Sequence, residues 1–358
     1  MAETFTLSEL VVPGTYVRVS AEGLIGAAGI STGNIGIVGT AANTDGETHL
    51  FGDYATARTE FDLYDAYNDG AGTLNLTRAV ELAYRNGARS VYARALATGA
   101  NQAAFSAAFD EIIKEDVNIL VAPELSTETA LAVLGPALEA AENAGRDMIA
   151  VVGADADTPA NIVAQAPTND RVIFTAPGVM AFDAAESDLV ALSGTYSAAA
   201  VAGLISTLAP HNSPTNKTLA GVVRLARRFS YAETIQLLNG RVAVLEQRGG
   251  VRVVRGLTTD DGGFRQVTTR RITDFAKAGI RKASDPFIGR LNNERVRKAL
   301  YGAVDGFLTT MLQDEQLTGY TLEVTATRQD EIGGRALVNA VLRPTFSIDF
   351  VAVTMVLE

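Results

Sequence analysis

Residues 73–96 read TLNLTRAVELAYRNGARSVYARAL, and the change of character inside this stretch decides the fold class. It predicts a helix from about Leu74 to Arg85, closed at Asn86-Gly87 because glycine accepts the left-handed dihedrals that end helices. A strand follows near Val91 to Ala95. Downstream the unit repeats: helix 101–115, strand VNILVAP (117–123), helix 127–144 closed by Gly145, strand DMIAVVG (147–153) and strand RVIFTAP (171–177). Apolar runs of about five residues alternating with helices are what a parallel sheet covered on both faces requires. Residues 80–210 therefore read as a doubly wound α/β domain.

Upstream lies GLIGAAGISTGNIGIVGTA, whose glycines at 23, 26, 29, 33, 36 and 39 lead into a buried-strand run at Ile35 to Val38. The spacing is G-x-x-G, and neither G-x-G-x-x-G nor G-x-x-x-x-G-K-[ST] occurs in the chain, so these glycines serve loops and close strand crossings rather than phosphate. Residues 5–19, FTLSELVVPGTYVRV, form an extended arm broken at Pro13-Gly14, with Val11, Val12, Tyr16 and Val17 as its apolar contacts.

The 358 residues allow two domains, or one elaborate domain with arms. The absence of cysteine excludes disulfides and thiolate metal sites. No basic n-region precedes an apolar stretch at the start, and no window approaches the length of a spanning helix, so neither a cleaved signal nor membrane insertion is expected. Charge is unevenly placed. Residues 1–220 hold 10 Lys+Arg against 26 Asp+Glu, residues 221–300 hold 17 against 7, and the overall charge is −11. A sign change of this size marks a two-faced molecule, with one side dressed for an acidic partner or for its own acidic half.

Chemistry has little to work with. Asp155 and Asp157 in VVGADADT, and Glu124 in APEL, fall at the carboxyl ends of strands, where open α/β sheets bind ligands. Clustered carboxylates could hold a divalent metal for hydrolysis. No lysine, histidine or partnered nucleophile accompanies them, and they read as solvated loop acids. The two histidines, His49 and His211, sit in expected loops away from any nucleophile elbow. No catalytic residue, cofactor or metal is assigned.

After residue 220 the pattern changes to a short helix in LARRFSYAETIQLLNGR, then two strands in VAVLEQRGGVRVVRG joined at Gly249-Gly250. The stretch VRVVRGLTTDDGGFRQVTTRRI (251–272) carries five arginines and no lysine: Arg252, Arg255, Arg265, Arg270 and Arg271. It reads as two antiparallel strands around Asp261-Gly262-Gly263, its arginines suited by their planar fork to carboxylates of another subunit. Leu300, Ala303, Val304, Phe307, Leu308, Met311 and Leu312 then follow helical spacing over roughly 20 residues, capped by Asn292 or Asn293. Arg290, Arg295, Arg297 and Lys298 crowd the start of that helix, where cations oppose its dipole, which favours a partner-binding role.

The chain ends PTFSIDFVAVTMVLE, in which Phe346, Ile348 and Phe350 alternate with Ser347 and Asp349 before both faces turn apolar through Val351, Val353 and Met355. From Thr345 to Leu357 it would span about 43 Å as a strand, far beyond the usual strand of about five or six residues. A free edge of that length aggregates, so something must cover it.

These segments together resemble the contractile tail sheath family of contractile bacteriophages, tailocins and related injection systems. PGTYVRV, TGNIGIVGTA, TLNLTRAVELAYRNGARSVYARAL and, above all, the run from GVRVVRGLTTDDGGFRQVTTRRITDF through FIGRLNNERVRKALYGAVDGFL to PTFSIDFVAVTMVLE carry the likeness. The resemblance implies a non-enzymatic homo-polymer of stacked helical rings around an inner tube, meeting baseplate and tail-terminator proteins. Such a sheath is assembled in the bacterial cytoplasm, contracts from a metastable extended state, and binds no nucleic acid directly. It implies an N-terminal strand arm (1–22), an outer α/β domain (23–220), an inner α+β assembly domain (221–344) and a C-terminal donor strand (345–358). Strand exchange would use Val11, Val12, Tyr16, Val17, Phe346, Ile348, Phe350, Val351, Val353 and Met355. The tube-facing set would be Arg290, Arg295, Arg297 and Lys298, and the five hairpin arginines would dock arms from neighbours. The alternatives are a metal-dependent hydrolase using Asp155 and Asp157, and a non-contractile self-assembling shell protein.

Overall fold

The computed structural model describes residues 29–61, 75–183 and 187–356. The proposed arm contacts Val11, Val12, Tyr16 and Val17 lie outside them. The described residues divide into two compact units, one of Ser31–Phe275 with residues 345–356, the other of Ala276–Pro344.

The first unit is built on an eight-stranded sheet of order β11-β10-β6-β5-β4-β1-β3-β2. Its strands are β1 (Ile35–Thr40), β2 (Thr48–Phe51), β3 (Val91–Leu96), β4 (Ile119–Val121), β5 (Ile149–Gly153), β6 (Val172–Ala176), β10 (Ala243–Gln247) and β11 (Val251–Val253). The six central strands run parallel, while β2 and β11 close the two ends antiparallel. Between β6 and β10 the chain forms a small sheet of β7 (Val179–Asp183), β8 (Asp188–Leu192) and β9 (Arg224–Leu225), with β7 in the middle.

Helices cover both faces, as the doubly wound reading requires. On one face α2 (Leu76–Arg85) and α6 (Gly194–Ser206) pack with Ile35, Ile37, Val121 and Val151; on the other, α3 (Gln102–Ile112) and α4 (Thr127–Asn143) pack with Val38, Leu120, Val152 and Phe174. Local signals start and stop these helices. Asn75, Asn101 and Ser126 cap α2, α3 and α4 by accepting from backbone N–H groups of the first turn. Gly87 and Gly145 follow α2 and α4 with positive φ. Gly153 is required by a close approach, because a Cβ there would overlap the carbonyl of Gly194 at the start of α6.

Two expectations are corrected. The first concerns residues 264–272, which do not return as a strand. Only Leu257 and Gln266 bridge across the turn, and Val267 then opens α8 (Val267–Ser284). The turn is closed locally by Thr258 Oγ1 donating to the Phe264 carbonyl (2.7 Å) and by Asp260 accepting from the Phe264 N–H (2.9 Å). What holds this Thr- and Arg-rich sequence helical is tertiary. Arg270 reaches out to Asp170 (2.8 Å) while also pairing within the helix with Asp274 four residues on, and the buried Arg271 donates to the carbonyls of Thr32 (3.0 Å), Leu208 (2.8 Å) and Ala209 (3.3 Å). Burial pulls the Arg271 guanidinium down to about 10, against the raising effect of Asp274.

The second correction concerns the boundary at residue 220. The hairpin β10–β11, turning at Gly249-Gly250 as expected, pairs through β10 with β6 and so completes the parallel sheet. The compact units part instead within α8, between Phe275 and Ala276.

The second unit holds α9 (Glu294–Gln313), the antiparallel pair β12 (Leu317–Thr325) and β13 (Leu337–Pro344), and the short α10 (Arg328–Ile332). Asn293 is the α9 cap, accepting from the Val296 N–H (3.0 Å). Of the expected stripe, Leu300, Val304, Phe307, Leu308 and Met311 are buried as their spacing predicts, whereas Ala303 is half-buried and Leu312, at the end of the helix, is 40% exposed. Gly279 of α8 has no room for a Cβ because the Phe307 ring lies against it.

Candidate assembly interface

The C-terminal segment leaves β13 at Pro344 and runs on without regular secondary structure through residue 356. Its first part is anchored. The Gln266 side chain holds the backbone of Ser347 at two points, accepting from its N–H (3.0 Å) and donating to its carbonyl (3.2 Å), much as a neighbouring strand would. Asp349 turns inward with 4% of its side chain exposed and pairs with Arg255 Nε (2.6 Å). Gln266 Nε2 (3.2 Å) and Thr215 Oγ1 (3.4 Å) also donate to it. The Arg255 guanidinium lies 5.0 Å from the centroid of the Phe350 ring. Thr345, Ser347 and Asp349 are thus half-buried while Phe346, Ile348 and Phe350 point to solvent. From residue 351 the alternation ends, and Val351, Val353, Met355 and Val356 are 75–85% exposed.

β12 and β13 form a two-stranded sheet, so that among the described residues each has one edge without a strand partner. Exposure alternates along both, with Val341 63% and Leu337 44% exposed. A two-stranded ribbon of this kind is marginal alone and open to further strands.

The basic sets separate on inspection. Arg290, Arg295 and Lys298 are exposed: Arg290 rests on Phe287 (5.3 Å to the centroid) and Lys298 pairs with the equally exposed Glu294 (2.8 Å). Arg297 differs, being 16% exposed and bonded to Asn292 Oδ1 (2.9 Å) and Glu331 Oε1 (3.0 Å), a clasp between the start of α9 and α10. Of the five arginines in 251–272, Arg255 engages this chain's own Asp349, Arg252 donates to Asn216 (2.8 Å), Arg265 is half-buried, and Arg270 and Arg271 serve α8. Sequence reading missed Gln266, Thr215 and Asp349 as the anchor. The signal present was polar Ser347 and Asp349 on alternate positions of an apolar run.

The acids at the strand ends have internal uses. The sheet order places the topological switch point between β1 and β4, where a ligand crevice would open. There Glu124 accepts from the Thr40 N–H and Thr40 Oγ1, both at 2.6 Å, and stitches the two strand ends together. Burial pushes its carboxyl up to about 7 although both Thr40 bonds favour the charged form. Asp155 accepts from the Thr127 N–H (3.0 Å) and from Gln165, and these bonds outweigh burial and hold its carboxyl below the usual range. Asp157 offers its backbone carbonyl to Arg227 (2.5 Å). His49 lies in strand β2 rather than a loop, with Nε2 2.7 Å from Asp45 and its ring stacked at 5.9 Å on Phe51.

Comparison with known families places this geometry. Residues 98–259 match the profile of the phage tail sheath protein central domain, and residues 259–358 match that of the phage tail sheath C-terminal domain. The chain belongs to the phage tail sheath family. As a sheath chain it is a structural subunit, with no helix among the described residues long and apolar enough to cross a membrane. The anti-feeding prophage helical sheath in its contracted state matches with a TM-score of 0.74 at 19% identity, over 97% of this chain and 99% of that one. The sheath complex of the extracellular contractile injection system PVC, also contracted, matches at 0.70 and 16% identity over 99% of both chains. The crystal structure of a sheath tail protein from Desulfitobacterium hafniense matches at 0.66 and 14% identity, over 93% of this chain and all of that one. Among curated proteins, none matches this sheath chain in sequence.

Proposed function

We propose that this sheath subunit polymerises as stacked helical rings around an inner tube and contracts from a metastable extended lattice, driving the tube through a target envelope. The observations that carry the reading are an apolar C-terminal segment exposed over residues 351–356 and a hairpin, β12–β13, whose two outer edges have no strand partner among the described residues. A strand from one copy added to the hairpin edge of the next would satisfy both.

The energetics suit a machine. Covering Val351, Val353, Met355 and Val356 contributes about 1.5–3 kcal/mol each. Fixing six residues as a strand costs about 1–2 kcal/mol each, so one link roughly breaks even. Stability then comes from many links acting together in a ring. The two compact units, joined within α8, can be carried as bodies while these links persist.

The exposed cations Arg290, Arg295 and Lys298 would meet an acidic surface of the tube, each contact contributing about 0–1 kcal/mol, as fits a surface that must slide. Baseplate and tail-terminator proteins would bound the polymer, and assembly would take place in the bacterial cytoplasm before incorporation into a phage tail or injection particle. Electron microscopy of the purified chain, with and without residues 346–358, tests the proposal. Hollow sheaths from the full chain and folded, dispersed subunits from the shortened one are expected; sheaths from both would overturn it.

A further inference from the structure

Resting on the strand-donation reading, we infer that the C-terminal arm is two devices in series: a root, residues 346–350, that stays on its own subunit, and a blade, residues 351–356, that alone is given to a second copy.

The division is drawn by the contacts. Ser347 is held through both backbone polar groups by Gln266, at 3.0 and 3.2 Å. Asp349 is enclosed by Arg255, Gln266 and Thr215, and Thr215 is itself fixed by accepting from the Gly256 N–H (3.0 Å). Removing the root would strip a carboxylate and a guanidinium of their partner in a site where Asp349 is 4% and Arg255 19% exposed. A buried pair resists such separation. Among the described residues no hydrogen bond or ion pair of this kind holds the blade. The half-buried/exposed alternation of residues 345–350 gives way to uniform exposure over 351–356, so both faces there await cover.

The root therefore does for the blade what a short tether does for any second binding event. It fixes the point and direction from which six residues search for an edge, and it removes five residues from those that must be ordered on docking. Because successive strand residues face opposite sides, the inward turn of Asp349 also fixes which face Val351, Val353 and Met355 present to the partner. Phe346 and Ile348, 62% and 82% exposed, become side-chain contacts made from the home subunit rather than residues of the donated strand.

Residue-level hydrogen exchange on the intact chain, before and after assembly, tests this. The Ser347 amide is expected to be protected in both states, and the amides of 351–356 only in the polymer. Loss of Ser347 protection on assembly, or protection of 351–356 already in the free subunit, would overturn the inference while leaving sheath formation untouched. Failure to polymerise at all would remove the functional reading and the inference with it. As a second measurement, Gln266→Ala should raise the concentration needed for assembly several-fold yet give polymers whose blade amides are protected as before. An unchanged assembly threshold would show that the root contributes no positioning.

Discussion

Replacing Glu124 by glutamine isolates one carboxyl at the switch point of the sheet. In the folded chain its pKa is raised from the ordinary 4.5 to about 7 by burial. A folded pKa above the unfolded one means that the folded state holds the proton more tightly. The contribution to stability is complete below about pH 4.5 and is lost as pH rises through about 7. The full difference corresponds to about 3 kcal/mol. Glutamine is neutral throughout, can accept from the Thr40 N–H and can donate to Thr40 Oγ1, so it keeps the stitch between β1 and β4 without the titration. Glu124→Gln should match the parent near pH 4 and exceed its unfolding free energy by up to about 3 kcal/mol above pH 7. Urea unfolding of the unpolymerised subunit, followed by circular dichroism from about pH 4 to 9, reads the difference directly, because other titrating groups cancel between the two chains. A variant less stable than the parent at pH 8, or a gap that does not vary with pH, would refute the argument that this carboxyl is enclosed.

Four other expectations concern packing and charge. Arg171, which pairs with Glu142 (2.7 Å), Asp147 (2.9 Å) and Asp274 (3.2 Å), has its pKa lowered by burial but raised further by these carboxylates. Arg171→Ala should cost about 3–5 kcal/mol in urea unfolding. Gly279→Ala should cost about 1–3 kcal/mol by pushing on the Phe307 ring, and combining it with Phe307→Leu should recover part of that loss. Arg297→Ala should destabilise the subunit measurably through loss of the Glu331 clasp, whereas exposed Arg295→Ala should stay within about 0.5 kcal/mol. Arg295→Glu should instead weaken co-sedimentation with tube more than self-association of the sheath, and equal loss of both would withdraw the tube-facing role.

The elements that were legible in the sequence are those whose signals are local. Helices α2, α3, α4 and α9 announce themselves by spacing, by Asn or Ser caps and, for α2 and α4, by closing glycines, and the β10–β11 turn by paired glycines. The destination of β10 was not legible, since its pairing with β6 joins residues about 70 apart and leaves no local mark. Residues 267–272 misled for a related reason: valine and threonine favour a strand by propensity, yet Asp170 and the carbonyls near residue 208 wait on another part of the chain and, with the helical pair Arg270–Asp274, hold them helical. In the arm, composition revealed an apolar strand in need of cover. The anchor depends on Gln266 and Thr215, at sequence distances of 81 and 134 residues from their partners, and no pattern in the sequence joins them.

The open ribbon of β12 and β13 carries a consequence for growth. Under the proposed strand donation, a copy that accepts a neighbour's blade on this ribbon would still extend its own blade and offer it to the next, so every addition would regenerate the end it consumed. Such an end-to-end assembly contains no ruler: nothing within the subunit distinguishes the tenth ring from the hundredth. In the proposed sheath, length would then be imposed from outside, by the tube as a template and by a cap that occupies the final ribbon.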